Sequence, residues 1–302
     1  MTNFNKEKDF IAIIAPASGC PEAFIKLQEI KKKLEIQGFY NLLIDDRIFS
    51  NETLKFFSAK KEIRQEIFIN ALLDPKVKII WAFRGGYGCD EFIFDCLDIK
   101  PVCPKILIGY SDLTSVHLLF NQQYNMKSLH GPVLTSLLPP HYQELNSIIE
   151  VLSGKEACIA LKPLNKIITP KIDGVTIGGN LTILTTMIGT KLHPQTNDKI
   201  LIVEDVHENG YRILRDLMHL KHAGIFQKLR AIIFGDFTLS DENMESAILY
   251  FCENHIAAIP AYQASGIGHG KVNHAIVMNQ EAIIEDNYLK VASPFSLDFF
   301  SK

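Results

Sequence analysis

The chain has 302 residues, a length that suggests two domains at roughly 150 residues each. Hydrophobic residues make up 47% and charged residues 22%, the balance of a globular chain, which excludes a disordered or fibrous one. With 31 Lys and Arg against 34 Asp and Glu, the net charge of −3 excludes a strongly basic nucleic-acid binder, and no nucleic-acid partner is expected.

The N-terminal apolar run covers only 10–15, stops at Pro16 and lacks a small-x-small cleavage site, so it reads as no secretory leader. No stretch approaches the roughly 18 apolar residues of a membrane span, and no membrane association is expected. Cys20, Cys89, Cys96, Cys103, Cys158 and Cys252 contain no C-x-x-C pair, which leaves free thiols in a reducing cytosol as the plain expectation. Cys89, Cys96 and Cys103 would align on one helix, but Pro101 and Pro104 break it.

In chain order, 10–16 (FIAIIAP) predicts a buried strand closed by turn residues. Pro21 suits the first turn of a helix carrying Phe24, Leu27, Ile30 and Leu34, with Gly38 as its C-terminal cap. A second strand is expected over 39–44. Ser58 is placed to cap a helix carrying Ile63, Ile67 and Ala71 that stops at Asp74-Pro75. Strands over 77–83 and 105–110 follow, the latter leading into a helix through Leu113, Val116, His117 and Phe120. This alternation predicts an α/β fold, a parallel sheet with helices on both faces.

Pro139-Pro140 break the pattern, and the spacing then predicts a helix over 142–152. Residues 153–173 show neither period and read as the remainder of a connection. The expected organisation is an N-terminal α/β domain over 1–140, a connection over 141–173 and a C-terminal α/β domain over 174–302. Alternation resumes there with strands at 174–179, 199–205 and 231–237, helices from Asn180, over 211–221 and near 242–254, and short strands from Pro260 to the end.

Four segments carry candidate chemistry. In KILIGYSDLTSVHLLF a strand ends at Gly109-Tyr110 and a helix begins at once, which lifts the Ser111 hydroxyl above the sheet edge. The Asp112 N–H points from a helix N-terminus toward the same space, half of an oxyanion hole. The spacing is G-x-S-x-L rather than G-x-S-x-G, so helix capping by Ser111 or Asp112 competes with this elbow reading. In Arg84-Gly85-Gly86-Tyr87-Gly88 the glycines let backbone amides approach a ligand at the carboxyl end of a strand. The phosphate-loop pattern is absent, and a tight turn is the bland alternative.

A serine nucleophile needs a base, and the base an orienter. Of ten histidines, His269 stands out in Gly266-Ile267-Gly268-His269-Gly270, read as a glycine-rich loop free to reach a cleft. Glu204-Asp205 end a buried strand, where a carboxylate is costly unless partnered. One of them is placed to accept the His269 N–H; helix capping or an ion pair with Arg212 or Arg215 is the alternative. His219 and His222 share a helix face, but no carboxylate motif supports a metal there, and no metal or cofactor is expected.

Taken in order, APASG, RGGYG, GYSDLT, LHGP, IGGNL, VEDVHENGYRILRDLMHL and GIGHG resemble the LD-carboxypeptidase family of serine peptidases, the muramoyltetrapeptide carboxypeptidases, which includes the microcin-immunity peptidases. The resemblance implies an N-terminal domain with the nucleophile and a C-terminal domain with the other two triad members. It makes Ser111 the nucleophile, His269 the base and Glu204 its orienter, with amides of Asp112 and of Gly85 or Gly86 as the oxyanion hole. Arg84 is a candidate for the substrate carboxylate and Tyr87 for an aromatic platform. The implied reaction releases terminal D-alanine from the L-centre of a diamino acid in a murein tetrapeptide, in cytoplasmic peptidoglycan recycling, by a homodimer. Two alternatives stand beside it: cleavage of a peptidyl-nucleotide amide, and a non-catalytic ligand-binding α/β protein. Where family members often read toward Pro-Ile-Gly after the histidine, this chain has Val277-Met278-Asn279.

Overall fold

Short apolar runs bounded by Gly, Pro and Asp become the strands of two sheets. The computed structural model describes residues 8–50, 54, 56–141, 143, 145–167 and 169–296. The strands are β1 (Phe10–Ile14), β2 (Leu42–Leu43), β3 (Val77–Ala82), β4 (Ile106–Gly109), β5 (Ser128–His130), β6 (Ala157–Ala160), β7 (Lys162–Pro163), β8 (Lys171–Asn180), β9 (Lys199–Val206), β10 (Ala231–Thr238), β11 (Ala261–Gly268), β12 (Ile276–Met278), β13 (Glu281–Glu285) and β14 (Tyr288–Val291). The α-helices are α1 (Ala23–Ile36), α2 (Lys61–Leu73), α3 (Thr114–Leu118), α4 (Asn146–Leu152), α5 (Leu181–Thr186), α6 (Gly210–His222) and α7 (Met244–His255).

The first sheet has the order β12-β5-β4-β3-β1-β2 and is parallel except for β12. Its centre is apolar on both faces: Ile79, Ile80, Trp81 and Ala82 are fully buried, as a parallel sheet covered on both sides requires. Each large side chain taken out of water there contributes roughly 1.5–3 kcal/mol. Trp81 is core, and its indole N–H donates to the Pro132 carbonyl at 2.9 Å. The second sheet has the order β6-β14-β13-β8-β9-β10-β11-β7, with β8 to β11 parallel and the flanking strands antiparallel. The α/β class and the parallel N-terminal sheet are as the sequence predicts.

Several local expectations are corrected. The second strand shrinks to Leu42–Leu43, because Phe39 turns into the core instead of extending the ladder. Helix α1 begins two residues after Pro21, at Ala23. Ser58 caps nothing: it is buried and donates to the Ala15 carbonyl at 2.5 Å, while α2 starts at Lys61. The helix after the elbow is composite, a 3-10 turn over Ser111–Leu113, then α3, then a π turn over Leu119–Gln123. Tyr142 and Glu144 lie outside the described residues, and the helix expected there is described from Asn146.

Residues 157–163 form β6 and β7, edge strands of the second sheet rather than irregular chain. In the other direction, the stretch with Val277 and Met278 forms β12, which crosses to the first sheet and pairs with β5. The two sheets are thereby stitched: β12 belongs to the first, and β13, which follows it, to the second. No helix among the described residues is long and apolar enough to cross a membrane. The six cysteines are free thiols.

Candidate active site

At the end of β4 the backbone makes a sharp turn. Tyr110 is extended, and Ser111 has φ 66°, the left-handed region that costs an L-residue roughly 1–2 kcal/mol. The surroundings hold that geometry. The Thr114 hydroxyl donates to the Ser111 carbonyl at 2.7 Å and accepts the Asn180 N–H at 2.9 Å. Gly109 is required for close packing, since a Cβ there would stand 2.9 Å from Leu113 Cγ. Ser111 therefore sits on a strained strand-to-helix turn, the elbow predicted from sequence.

The glycine loop after β3 lies against the elbow. A Cβ on Gly85 would meet Ser111 Cβ at 2.9 Å and Oγ at 3.1 Å, so only glycine lets that backbone pass the hydroxyl. Ser18, in the APASG segment, organises the loop: its N–H donates to the Gly85 carbonyl at 3.3 Å and its hydroxyl accepts the Tyr87 N–H at 3.1 Å. Buried Arg64 ties the loop from below, donating to the Pro16 and Gly88 carbonyls at 2.7 Å each and pairing with Glu91.

The histidine and the carboxylate arrive from the second sheet. Strand β10 bulges at Gly235, where its register with both neighbours shifts. The end of β11 crosses over that glycine, whose Cβ would meet the Ile267 carbonyl at 2.7 Å, and reaches Glu204 on β9. His269 follows directly. Its Nδ1–H donates to Glu204 Oε2 at 2.6 Å, and its Nε2 accepts the Ser111 hydroxyl at 3.2 Å. Residues 158 positions apart in the chain thus share one hydrogen bond. The loop expected around His269 is shorter than its glycine-rich neighbours suggested: residues 265–268 belong to β11, His269 opens the irregular stretch 269–275, and Gln143 holds the flanking Gly268 and Gly270 carbonyls at 3.4 and 2.8 Å.

Burial and the Glu204–His269 pair set the electrostatics here. Burial opposes the Glu204 anion, but the charge of His269, the nearby His130 ring and the His269 hydrogen bond win and take the carboxyl down to about 2. Burial likewise opposes the His269 imidazolium, yet Glu204 outweighs it and leaves the pKa above the ordinary 6.5. Asp205 is pushed up to about 6 by burial and by Glu204. Its carboxylate accepts from Asn180 Nδ2 and from the amide and hydroxyl of Thr182, so it braces α5 rather than His269. Asp112 is also raised to about 6 by burial, and its side chain accepts the Cys89 N–H at 2.9 Å. Arg212 and Arg215 pair with Glu208 and Asp216, so neither neutralises Glu204.

Arg84 is exposed and donates to the Gly19 carbonyl at 2.8 Å. It lines a cavity of about 650 Å³ with Ser18, Cys20, Phe49 and Phe57; neither Ser111 nor His269 is among its walls. Tyr87 is 49% exposed and stacks on Phe57 at 5.9 Å. Among the described residues, no group of three or more His, Cys, Asp or Glu side chains is arranged to hold a metal ion. Sequence reasoning missed the roles of Ser18, Thr114, Asn180 and Gln143. The motifs APASG and IGGN flagged the first and third, but a hydrogen bond across domains has no local signature.

Gly268 has φ 102°, and a Cβ there would collide with the Glu204 carboxylate. Gly268→Ala is expected to lower kcat/KM by about a hundredfold or more, the cost of displacing a group in an active site by about 1 Å. Peptidase kinetics on the purified variant check this; wild-type kinetics would contradict the described contact.

Both halves of this arrangement match one family. The family model of the LD-carboxypeptidase N-terminal domain matches residues 11–131, and that of the C-terminal domain residues 173–284. The chain belongs to the LD-carboxypeptidase family. Among LD-carboxypeptidase relatives, a Rickettsia conorii protein bearing a carboxypeptidase name is 35% identical over 282 residues, 91% of this chain and 87% of that one. The murein tetrapeptide carboxypeptidase of Pseudomonas aeruginosa is 32% identical over 300 residues, 93% of this chain and 94% of its own. The muramoyltetrapeptide carboxypeptidase of Oxalobacter formigenes superposes with a TM-score of 0.80 at 26% identity, over 95% of this chain and 99% of that one. The microcin C7 self-immunity protein has a TM-score of 0.77 at 20% identity, over 96% of this chain and 97% of that one, a likeness of fold. The chain is thus a carboxypeptidase of this family.

Proposed function

We propose that this enzyme is a serine LD-carboxypeptidase that releases the terminal D-alanine from the L-centre of a diamino acid in murein tetrapeptides, within cytoplasmic peptidoglycan recycling. The single observation that carries the reading is the continuous line Ser111 Oγ, His269 Nε2, His269 Nδ1, Glu204 Oε2, with links of 3.2 and 2.6 Å. Nucleophile, base and orienter stand in the relation that acyl transfer needs.

His269 takes the Ser111 proton on Nε2 as Oγ attacks the scissile carbonyl. Glu204 balances the imidazolium that forms. The Asp112 amide and an amide of Gly85 or Gly86 receive the oxyanion; loss of one such donor costs about 10²–10³ in rate. The imidazolium Nε2–H then protonates the leaving amine, D-alanine departs, and an ester remains on Ser111. Water, deprotonated by His269, hydrolyses it. Arg84 is assigned to a substrate carboxylate, and the assembly implied by the family resemblance is a homodimer.

Incubation of the purified protein with a murein tetrapeptide, with D-alanine measured, tests the reading. Release of D-alanine from the L-configured centre, with no release from a D-centred isomer, is expected. The exposed Tyr87 face supports one competitor, a peptidyl-nucleotide amide stacked on that ring. Turnover of such an amide with none of the tetrapeptide would favour it, and binding without turnover of either would overturn the peptidase reading.

A further inference from the structure

We infer that His130 is a positioning residue of the catalytic site, donating from Nε2 to the second oxygen of Glu204 and fixing the carboxylate that orients His269. This inference rests on the proposed Ser111–His269–Glu204 site.

Glu204 is completely buried, and its Oε2 is engaged by His269. Its other oxygen, Oε1, has no hydrogen-bond partner among the described residues. A buried carboxylate with one oxygen bare is costly, because nothing replaces the water stripped from it. His130 is equally buried, and neither of its ring nitrogens has a partner among the described residues. The two unpartnered groups face one another: His130 Nε2 lies 3.8 Å from Glu204 Oε1. That separation exceeds a hydrogen bond, and a shift of roughly 1 Å by either side chain makes one.

His117, the Tyr110 hydroxyl and Gln143 Nε2 are committed elsewhere. His117 is held near 3 in pKa by burial and by His130, hence neutral; its Nε2–H donates to the Gly109 carbonyl at 2.9 Å, and its Nδ1 accepts from the Ser128 hydroxyl at 2.7 Å. The Tyr110 hydroxyl lies 3.3 Å from Ser136 Oγ, and burial pushes it up to about 12. Its ring stands between the two histidines, 5.9 Å from His130 and 4.7 Å from His269. Gln143 Nε2 serves the Gly268 and Gly270 carbonyls. His130 is also placed rigidly: it ends β5, pairs with Gly109 at the elbow strand and with Ile276 of β12. Nucleophile strand, crossing strand and carboxylate therefore meet at this one ring.

A donor on Oε1 does two things. It fixes the plane of the carboxylate so that Oε2 stays on His269 Nδ1. It also draws negative charge away from Oε2, which moderates the pull of Glu204 on the His269 proton. Losing the donor strengthens that pull, so the His269 pKa rises further and the acid limb of kcat/KM moves to higher pH.

The experiment compares wild type, His130→Gln, His130→Phe and Ser111→Ala in D-alanine release across pH, each checked for folding by circular dichroism. His130→Phe is expected to lose about ten- to hundredfold in kcat with little change in KM, and to shift the acid limb upward. His130→Gln, which keeps an N–H donor, is expected to restore most of the rate and the wild-type limb. Equal losses in both variants with an unmoved limb, or no loss in His130→Phe, would overturn the inference. As a readout that needs no stable Phe variant, nitrogen-15 histidine spectra of the wild type, assigned with His130→Gln, should show a proton on His130 Nε2; a bare Nε2 would also overturn it. Ser111→Ala separates the two levels: if it stays active, the catalytic reading itself fails, whereas a dead Ser111→Ala beside unaffected His130 variants defeats only the role of His130.

Discussion

Ser111→Ala is expected to lower kcat for D-alanine release by about 10⁶-fold, the scale found when a triad serine is removed. KM should change little, because the substitution deletes one oxygen and leaves the cleft intact. The loss is large because no neighbour can substitute. The strained φ of 66° aims this hydroxyl at His269 Nε2, and Gly85 passes it too closely for another side chain to enter. A residual rate of about 10³–10⁴ over water should persist from backbone donors and binding. Relief of the left-handed strain does not accompany the change, since alanine pays the same backbone cost as serine. Steady-state kinetics with mass-spectrometric detection of D-alanine measure the effect.

Glu204→Gln is expected to cost about 10⁴ in kcat, with two readouts moving together. The amide keeps the shape but removes the charge that balances the imidazolium, and its NH₂ favours the wrong imidazole tautomer. The pH profile carries the sharper sign. His269 must be neutral to accept the Ser111 proton, so kcat/KM rises with pH as His269 deprotonates. Burial lowers its pKa and Glu204 more than compensates, so the wild-type acid limb lies above pH 6.5. Without the Glu204 charge, burial dominates and the limb moves to lower pH while the maximum rate falls. An unmoved limb would show that another group titrates there.

Much of this was legible in the sequence, for identifiable reasons. Central strands read well because they are short apolar runs cut off by Gly or Pro, as at 77–83 and 231–237. Ser111 read well because strand, glycine and helix start are contiguous. Edge strands read poorly: Ala157–Ala160 is buried at Ile159 alone, and Lys162–Pro163 not at all, so neither carries a period. The three residues of β12 are apolar and buried, a pattern that says core without saying which sheet. Residues 265–268 read as loop rather than strand because Gly266 and Gly268 look like loop residues. Their positive φ values belong instead to a strand end, where Gly266 passes His274 and Gly268 passes Glu204 without a side chain. Ser58 looked like a cap because helix caps and buried hydroxyls share a residue type; only the fold shows that the Ala15 carbonyl accepts its hydrogen bond. The roles of His130, Ser18 and Asn180 depend on contacts between distant segments, which periodicity does not encode.

The central claim is that Ser111, His269 and Glu204 act as one device. The direct measurement is a mutant cycle on D-alanine release from the tetrapeptide: Ser111→Ala, His269→Ala, the double variant and the triple variant with Glu204→Ala. A single device predicts that Ser111→Ala, His269→Ala and both combinations share nearly the same residual kcat, because removing the nucleophile or the base already silences the rest. Losses that multiply from single to double to triple would contradict it and assign the three residues independent roles.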